Sequence, residues 1–197
     1  MPNASHLLAV DIGGTFTDIV LFDTESNHIA VGKALTTYPD PSQAVLSGVT
    51  QLLKNHNIDP ASVRQVIHGT TLVTNTLIER KGARTALIAT EGFRDALEIG
   101  NEGRYDIYDL GLVKPPPLVE RRLRFGIPER MTASGEVLHP LDVNAVTELC
   151  KTLNAEGIES VAICLLHAFT NPRHEFDVYE IARDEMPNAS ISISHQV

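Results

Sequence analysis

The segment VDIGGTFTDIVLFD, residues 10–23, decides the fold because two apolar strands flank a glycine turn within it. Leu7–Val10 lead into this turn and Ile19–Phe22 leave it. A polar turn follows, and residues 28–35 form a third apolar stretch. Strands joined in this way by short turns are typical of antiparallel pairing. The sequence therefore predicts an antiparallel meander at the N-terminal end.

Helical and strand patterns alternate through the rest of the chain. Pro41 precedes a stretch with an apolar stripe, which predicts a helix. The later predicted elements are strands at 62–67 and 85–89, helices at 72–80 (stopped by Gly82) and 91–97, a hairpin pairing 121–126 with 136–139, a helix from Asp142 to Gly157, a strand at 160–166, a helix from Pro172 to Met186 and a strand at 191–194. This order predicts an α/β fold with a mixed sheet flanked by helices.

Composition excludes several classes of protein. The 197 residues are 43% hydrophobic and carry a net charge of −9, which argues against disorder and against generic binding to nucleic acid. The two cysteines have no metal-ligand spacing. Neither a signal peptide nor a run of about 20 apolar residues is visible, so we expect a cytoplasmic protein without a membrane partner.

The glycine turn carries the residues best suited to bind phosphate. Gly13 and Gly14 allow the backbone to approach a ligand with its N–H groups, and Thr15 and Thr17 add hydroxyl donors. Asp11 stands at a strand end, where its carboxylate can hold a hydrated magnesium ion. No lysine follows the glycines, so this is not a P-loop. An ordinary hairpin turn would use the same residue types, and the pattern alone leaves both interpretations open.

A second polar group, His68-Gly69-Thr70-Thr71, joins a predicted strand to a predicted helix. Backbone N–H groups at a helix N-terminus favour an anion, and His68 is a candidate acid or base near neutral pH. The simpler alternative is that Thr71 caps the helix and His68 ends the strand.

A charged group follows the strand at 85–89. Arg94 and Glu98 are candidates for binding a polar substrate, together with Arg104, although a solvated helix face would look the same. Three other arginines, Arg121, Arg122 and Arg124, are expected on an exposed strand face, and Cys150 and Cys164 in the core.

The motifs resemble a known family. Residues 11–18 resemble the first phosphate motif of the actin, sugar kinase and chaperone ATPase superfamily, and residues 10–23 more closely resemble the N-terminal region of the hydantoinase A and 5-oxoprolinase family. Further matches are HGTTLVTNTLIERKGARTALIATEGFRDALEIG at 68–100, YDIYDL at 105–110 and CLLHAFTNPRHE at 164–175.

This resemblance implies a ribonuclease H-like, actin-like ATPase lobe that uses ATP and Mg²⁺ to open a cyclic amide such as a hydantoin or 5-oxoproline. A related alternative is a domain of an acetone or acetophenone carboxylase, and another is a non-catalytic nucleotide-binding module. By resemblance, Gly13, Gly14 and Thr15 line the phosphate site, Asp11 lies near the metal, and Asp18 supports the turn. The second motif, Gly69-Thr70-Thr71, takes a ligand-facing role.

The resemblance also implies a domain arrangement. Residues 1–197 would form one N-terminal lobe, whose second lobe is absent from this chain, and a hydantoinase B-type subunit or a C-terminal region would be the partner. The order of elements suggests that the strand at 160–166 joins the sheet of the meander, with an inserted α/β segment at about 62–139.

Overall fold

The computed structural model describes residues 5–101, 103 and 108–197, which fall into two compact units, residues 1–81 and 82–197. Arg104 and the first half of the 105–110 motif, residues 105–107, lie outside the described residues.

The first unit is a mixed four-stranded sheet with helices. Its elements are β1 (His6–Ile12), β2 (Phe16–Asp23), β3 (Ile29–Leu35), α1 (Ser42–Asn55), β4 (Val63–Thr70) and α2 (Leu72–Glu79). The strand order is β3-β2-β1-β4; β2 pairs antiparallel with both β1 and β3, whereas β4 runs parallel to β1. The predicted meander is confirmed.

The core of the first unit lies between this sheet and α1. Alternation along β1 directs Leu8, Val10 and Ile12 to one face, where they join the cluster that contains Leu52 of α1. Gly48 lets α1 approach closely, because a Cβ there would lie 2.3 Å from Cδ1 of Ile19. The apolar alternation that predicts the meander therefore also forms its core.

The second unit is built on a parallel four-stranded sheet of order β10-β9-β5-β6. Its elements are β5 (Thr85–Thr90), α3 (Ala96–Ile99), β6 (Arg124–Ile127), β7 (Arg130–Met131), β8 (Val137–His139), α4 (Val143–Ala155), β9 (Ser160–Cys164), α5 (Arg173–Glu185) and β10 (Ser190–Ile193). Side chains of α4 and α5, among them Val146, Leu153 and Val178, pack in one core with Val161 and Ile163 of β9.

The topology corrects one expectation. The strand at 160–166 does not join the sheet of the meander, because β9 pairs with β5 and β10. Residues 62–139 contribute to both sheets: β4 belongs to the first, and β5 and β6 belong to the second. The order of elements could not distinguish one large sheet from two small ones.

The predicted hairpin of 121–126 with 136–139 is also wrong. Residues 121–123 form a 3-10 helix, β6 pairs with β5, and β8 pairs with β7. Arg124 is therefore not on an exposed face: its side chain is 2% exposed and its Nη1 lies 3.0 Å from Oε2 of Glu98. The carboxylate of Glu98 and the carbonyl of Val119 satisfy this buried guanidinium.

Local signals at helix ends were more informative. Asp142 caps α4 by accepting a hydrogen bond from the N–H of Ala145, and Gly157 follows the helix with a φ of 69°. The helix α2 ends at Glu79, one residue before the predicted end, and the residue with the left-handed φ that stops it is Arg80 (57°) rather than Gly82.

The two cysteines differ in exposure. Cys150 is buried as predicted, but Cys164 is exposed, because alternation along β9 turns Val161 and Ile163 inward. Burial raises the pKa of the Cys150 thiol to about 11.

This contrast predicts selective thiol reactivity. Near pH 8 we expect the native chain to react with one equivalent of Ellman's reagent, at Cys164, and the denatured chain with two, because only a thiolate attacks the reagent. The Cys164→Ser variant should lose the fast reaction. Equal reaction rates of both thiols in the native chain would contradict this assignment.

None of the described helices combines the length and the apolarity that crossing a membrane requires.

Candidate functional site

The turn between β1 and β2 is a tight loop of Gly13, Gly14 and Thr15. The N–H of Gly13 donates to the carbonyl of Phe16 at 2.9 Å and closes the loop. A Cβ at Gly13 would lie 2.9 Å from that same carbonyl oxygen, and one at Gly14 would lie 3.0 Å from Nδ2 of Asn75. Neither glycine has a left-handed φ, so both are required here by space rather than by backbone angle.

All three carbonyl groups of the loop accept hydrogen bonds from the segment that follows β3. The hydroxyl of Thr36 donates to the carbonyl of Gly13, the hydroxyl of Tyr38 to that of Gly14, and the N–H of Thr36 to that of Thr15, at 2.9–3.0 Å. The N–H groups of Gly14 and Thr15 have no acceptor among the residues that the structure describes. N–H groups that are left unused in a turn are donors that an anion can accept from.

The two polar motifs of the sequence meet at this loop. In the parallel pairing of β1 with β4, Asp11 is the partner of Gly69, and Oδ1 of Asp11 lies 3.5 Å from where a Cβ of Gly69 would be. The N–H of Thr71 continues the pairing by donating to the carbonyl of Ile12. Asn75 then contacts Thr71 through Nδ2 at 3.4 Å. The start of α2 is therefore beside the glycine loop.

His68 and Thr70 do not share the face of Asp11. Their strand partners are Val10 and Ile12, which point towards α1, whereas Asp11 points to the opposite face. The hydroxyl of Thr70 accepts the N–H of Leu72. His68, the candidate acid or base, therefore lies on the face of the sheet towards α1 and not on the face of the Asp11 carboxylate.

Thr17 and Asp18 support the loop. Thr17 is fully buried and its hydroxyl lies 3.1 Å from that of Thr36. The sequence predicts a hydroxyl donor for phosphate here, but the hydroxyl of Thr17 is paired with that of Thr36 instead. Asp18 forms an ion pair with Lys33 at 3.1 Å, and the ammonium of Lys33 lies 4.8 Å from the centre of the Phe16 ring. Asp18, Lys33 and Phe16 share the face of Asp11, opposite α1, whereas Thr17 is the partner of Ile12 and lies on the buried face.

A cavity of about 440 Å³ opens next to the loop. Its lining includes Gly14, Tyr38, Asn75 and the ion pair of Glu79 with Lys81, which are 2.7 Å apart. The hydrogen bond with Glu79 raises the pKa of the Lys81 ammonium above its ordinary value, so this residue stays cationic at neutral pH. A polar ligand would therefore find both N–H donors and a cation in this part of the unit.

The residues present fit a magnesium ion held with phosphate. Asp11 is exposed, and the described part of the chain contains no cluster of three or more histidine, cysteine or carboxylate ligands. Mg²⁺ differs from zinc in keeping most of its waters and needing few protein ligands when phosphates complete its shell. One exposed carboxylate beside an anion-binding loop is sufficient for such an ion.

The predicted substrate residues Arg94 and Glu98 belong to the second unit. Glu98 neutralises the buried Arg124, and Nε of Arg94 lies 4.0 Å from Asp95. Asp95 also receives two hydrogen bonds from Arg121, which hold the pKa of this carboxyl below its ordinary value. The charged group is therefore mainly a set of ion pairs.

Sequence reasoning missed Thr36, Tyr38 and Lys33. The sequence carried no signal for the first two, because only the register of β2 and β3, in which Phe16 pairs with Leu35, shows that the residues after Leu35 pass beside the loop.

The chain is similar to known proteins over nearly its whole length. Residues 7–186 match the family described as the hydantoinase/oxoprolinase N-terminal region. The 5-oxoprolinase of Saccharomyces cerevisiae is 35% identical over 239 residues, which cover 100% of this chain and 18% of the yeast protein. Caprolactamase subunit alpha of Pseudomonas jessenii is 31% identical over 203 residues, covering 100% of this chain and 29% of the subunit.

Solved structures give the same result. A crystal structure of ATP-dependent caprolactamase from Pseudomonas jessenii matches with a TM-score of 0.79 and 32% identity, over 97% of this chain and 28% of that chain. A nucleotide-free structure of acetone carboxylase matches with a TM-score of 0.86 and 26% identity, over 96% and 29%. The chain spans less than a third of the length of each of these proteins. It therefore belongs to the hydantoinase/oxoprolinase family and comprises the N-terminal region of that family.

Proposed function

We propose that this chain is the phosphate-binding part of an actin-like, ATP-dependent enzyme that opens a cyclic amide. The observation that supports the proposal is the hydrogen bonding of the loop at Gly13–Thr15. Its three carbonyl groups accept hydrogen bonds from Thr36 and Tyr38, and the N–H groups of Gly14 and Thr15 have no acceptor within the described chain. Backbone donors of this kind bind phosphate without lysines, which is compatible with the net charge of −9.

The chain's own residues would act by binding and positioning. Gly14 and Thr15 donate N–H groups to phosphate oxygens, and Asp11 holds the magnesium ion through its exposed carboxylate. Thr17 keeps the loop in place through Thr36. Bound MgATP would supply the phosphoryl group that activates a carbonyl oxygen of the substrate towards attack.

Two further parts of the proposal concern the whole enzyme. We propose a cytoplasmic enzyme in which a hydantoinase B-type subunit or a C-terminal region completes the site. Two observations support a larger assembly. The chain covers only 18% of the yeast 5-oxoprolinase, and the similar caprolactamase chain is named as subunit alpha.

The second candidate is a carboxylase of the acetone carboxylase type. The structural similarity to acetone carboxylase, with a TM-score of 0.86, supports this candidate. Assays of the full-length enzyme with ATP separate the two. A cyclic amidohydrolase consumes hydantoins, 5-oxoproline or a lactam without bicarbonate, whereas a carboxylase consumes bicarbonate together with a ketone.

The proposal is tested by replacing Asp11 with asparagine in the full-length enzyme. We expect kcat for ATP-coupled turnover to fall by at least about 100-fold, because the variant loses the metal-binding charge of an exposed side chain that has no hydrogen bond or ion pair among the described residues. Asp23→Asn, which changes a partly buried carboxylate at the end of β2 that accepts hydrogen bonds from Glu25 and Ser26, is the control and should retain activity. Undiminished turnover by the Asp11 variant would refute the assignment of Asp11.

A further inference from the structure

Three histidines line one cavity at the end of the first sheet that is remote from the glycine loop. The cavity has a volume of about 330 Å³, and His6, His28 and His56 form part of its wall. His6 is the first residue of β1, and the glycine loop follows the last residue of that strand. The length of β1, roughly 20 Å, therefore separates this cavity from the proposed phosphate site.

The rings of His28 and His56 are close enough to share one metal ion. Their centroids are 6.2 Å apart and their planes are inclined by 52°. Two imidazole rings that bind one ion through bonds of about 2.0–2.1 Å have centroids roughly 5–6.5 Å apart. Both side chains are exposed, and neither ring forms a hydrogen bond or an ion pair with another described residue. Their ring nitrogens are therefore available to a ligand from solution.

The backbone fixes the positions of both histidines. His28 follows the left-handed residue Asn27, with a φ of 56°, and its carbonyl accepts the N–H of Asp23 at 2.9 Å. His56 is the C-cap of α1, and the left-handed residue Asn57, with a φ of 54°, follows it. The negative end of the helix dipole lies at this C-terminus and favours a cation there. The location of His56 thus supports a cation as the shared ligand.

The other polar side chains of the cavity make bonds of their own. The carboxylate of Asp23 accepts the N–H of Glu25 and the hydroxyl of Ser26, and so holds its own turn. Nδ1 of His6 lies 3.0 Å from the hydroxyl of Ser62. No three histidine, cysteine or carboxylate ligands come together within the described residues, so water would fill the remaining positions around an ion at the histidine pair. Imidazole ligands suit Ni²⁺, Cu²⁺ and Zn²⁺, whereas Mg²⁺ and Ca²⁺ prefer oxygen.

We propose that His28 and His56 form a binding site for a divalent transition-metal ion of the Ni²⁺, Cu²⁺ and Zn²⁺ class. The ion links the residue before β3 to the residue after α1 and so joins the two ends of the segment 28–56. This segment contains Thr36 and Tyr38, which donate hydrogen bonds to the glycine loop. An ion that binds only the folded chain stabilises it. The proposal does not depend on phosphate binding, because it uses none of the loop's N–H groups.

The test is a titration of the ¹⁵N-labelled chain with NiCl₂, followed by NMR. Ni²⁺ is paramagnetic, so we expect saturable broadening of the amides of residues 27–29 and 55–57, reversed by EDTA. His28→Gln and His56→Gln should each weaken Ni²⁺ binding by at least about 10-fold, because each removes one of two ligands. The matched control is His139→Gln, which changes an exposed histidine of β8 and should leave the affinity at this site unchanged.

Thermal unfolding gives a second readout. Saturating Ni²⁺ should raise the unfolding midpoint of the wild-type chain and of the His139→Gln control, but not that of the two pair variants. The proposal is overturned if the wild-type chain shows no saturable broadening, or if broadening is confined to residues near Asp11 or near other histidines. Unchanged Ni²⁺ affinity in either folded pair variant would have the same meaning. Failure here leaves the phosphate site standing, because MgATP binding is measured at different amides, those of residues 13–16.

Discussion

Replacing Glu175 with alanine is expected to lower the free energy of unfolding by about 3–5 kcal/mol. The carboxylate is fully buried in the first turn of α5 and accepts hydrogen bonds from the N–H of Leu165 at 2.9 Å and the hydroxyl of Ser194 at 2.6 Å. It also accepts the N–H of His195 and lies 2.7 Å from Nδ1 of that ring. One side chain thus ties the ends of β9 and β10 to α5, and its removal leaves several buried donors without an acceptor.

Urea denaturation followed by circular dichroism measures this loss. The matched control is Glu180→Ala on the same helix, where an exposed carboxylate pairs with Arg183. That variant should change the free energy of unfolding by less than about 0.5 kcal/mol. A loss below about 1 kcal/mol for Glu175→Ala would show that solvent or a rearranged chain replaces these bonds.

The second large effect is expected for Gly14→Val, which should weaken MgATP binding by the full-length enzyme by at least about 10-fold. The added methyl groups would occupy the space between the loop and Asn75, where even a Cβ would lie 3.0 Å from Nδ2. They would also cover the N–H groups that are proposed to meet phosphate.

Isothermal titration with MgATP measures this change. Gly103→Val is a suitable control, because a Cβ at Gly103 has no heavy atom of the described residues within 4 Å and its φ is not left-handed. We expect control and wild type to bind alike. If Gly14→Val binds MgATP with wild-type affinity while remaining folded, the loop is not the phosphate site.

Features with a local cause could be predicted from the sequence. Alternating apolar residues around Gly13 and Gly14 predict the meander, and Asp142 with Gly157 predicts the ends of α4. These signals depend on residues that are close together in the chain, so the sequence alone is sufficient to recognise them. The candidate loop was found for the same reason, since its glycines and Asp11 are contiguous.

Features that depend on distant partners could not be predicted. In the sequence, Arg124 and Glu175 are typical surface residues. In the structure, Arg124 is buried beside Glu98, and Glu175 is buried with hydrogen bonds to Ser194 and His195. The division into two sheets likewise depends on the pairing of β9 with β5, which are about 70 residues apart in the chain and cannot be matched from local patterns. Burial of a charge depends on long-range pairing, which composition and periodicity do not report.

The central claim is that the loop at Gly13–Thr15 binds the phosphates of ATP. The most direct measurement is an NMR titration of the ¹⁵N-labelled chain with MgATP, in which binding is expected to be weak because the chain spans less than a third of its relatives. Phosphate binding by the loop should cause saturable shifts at the amides of residues 13–16 and 71–75, and these shifts should be lost in Gly14→Val. Unchanged Gly14 and Thr15 amides at saturating MgATP would contradict it.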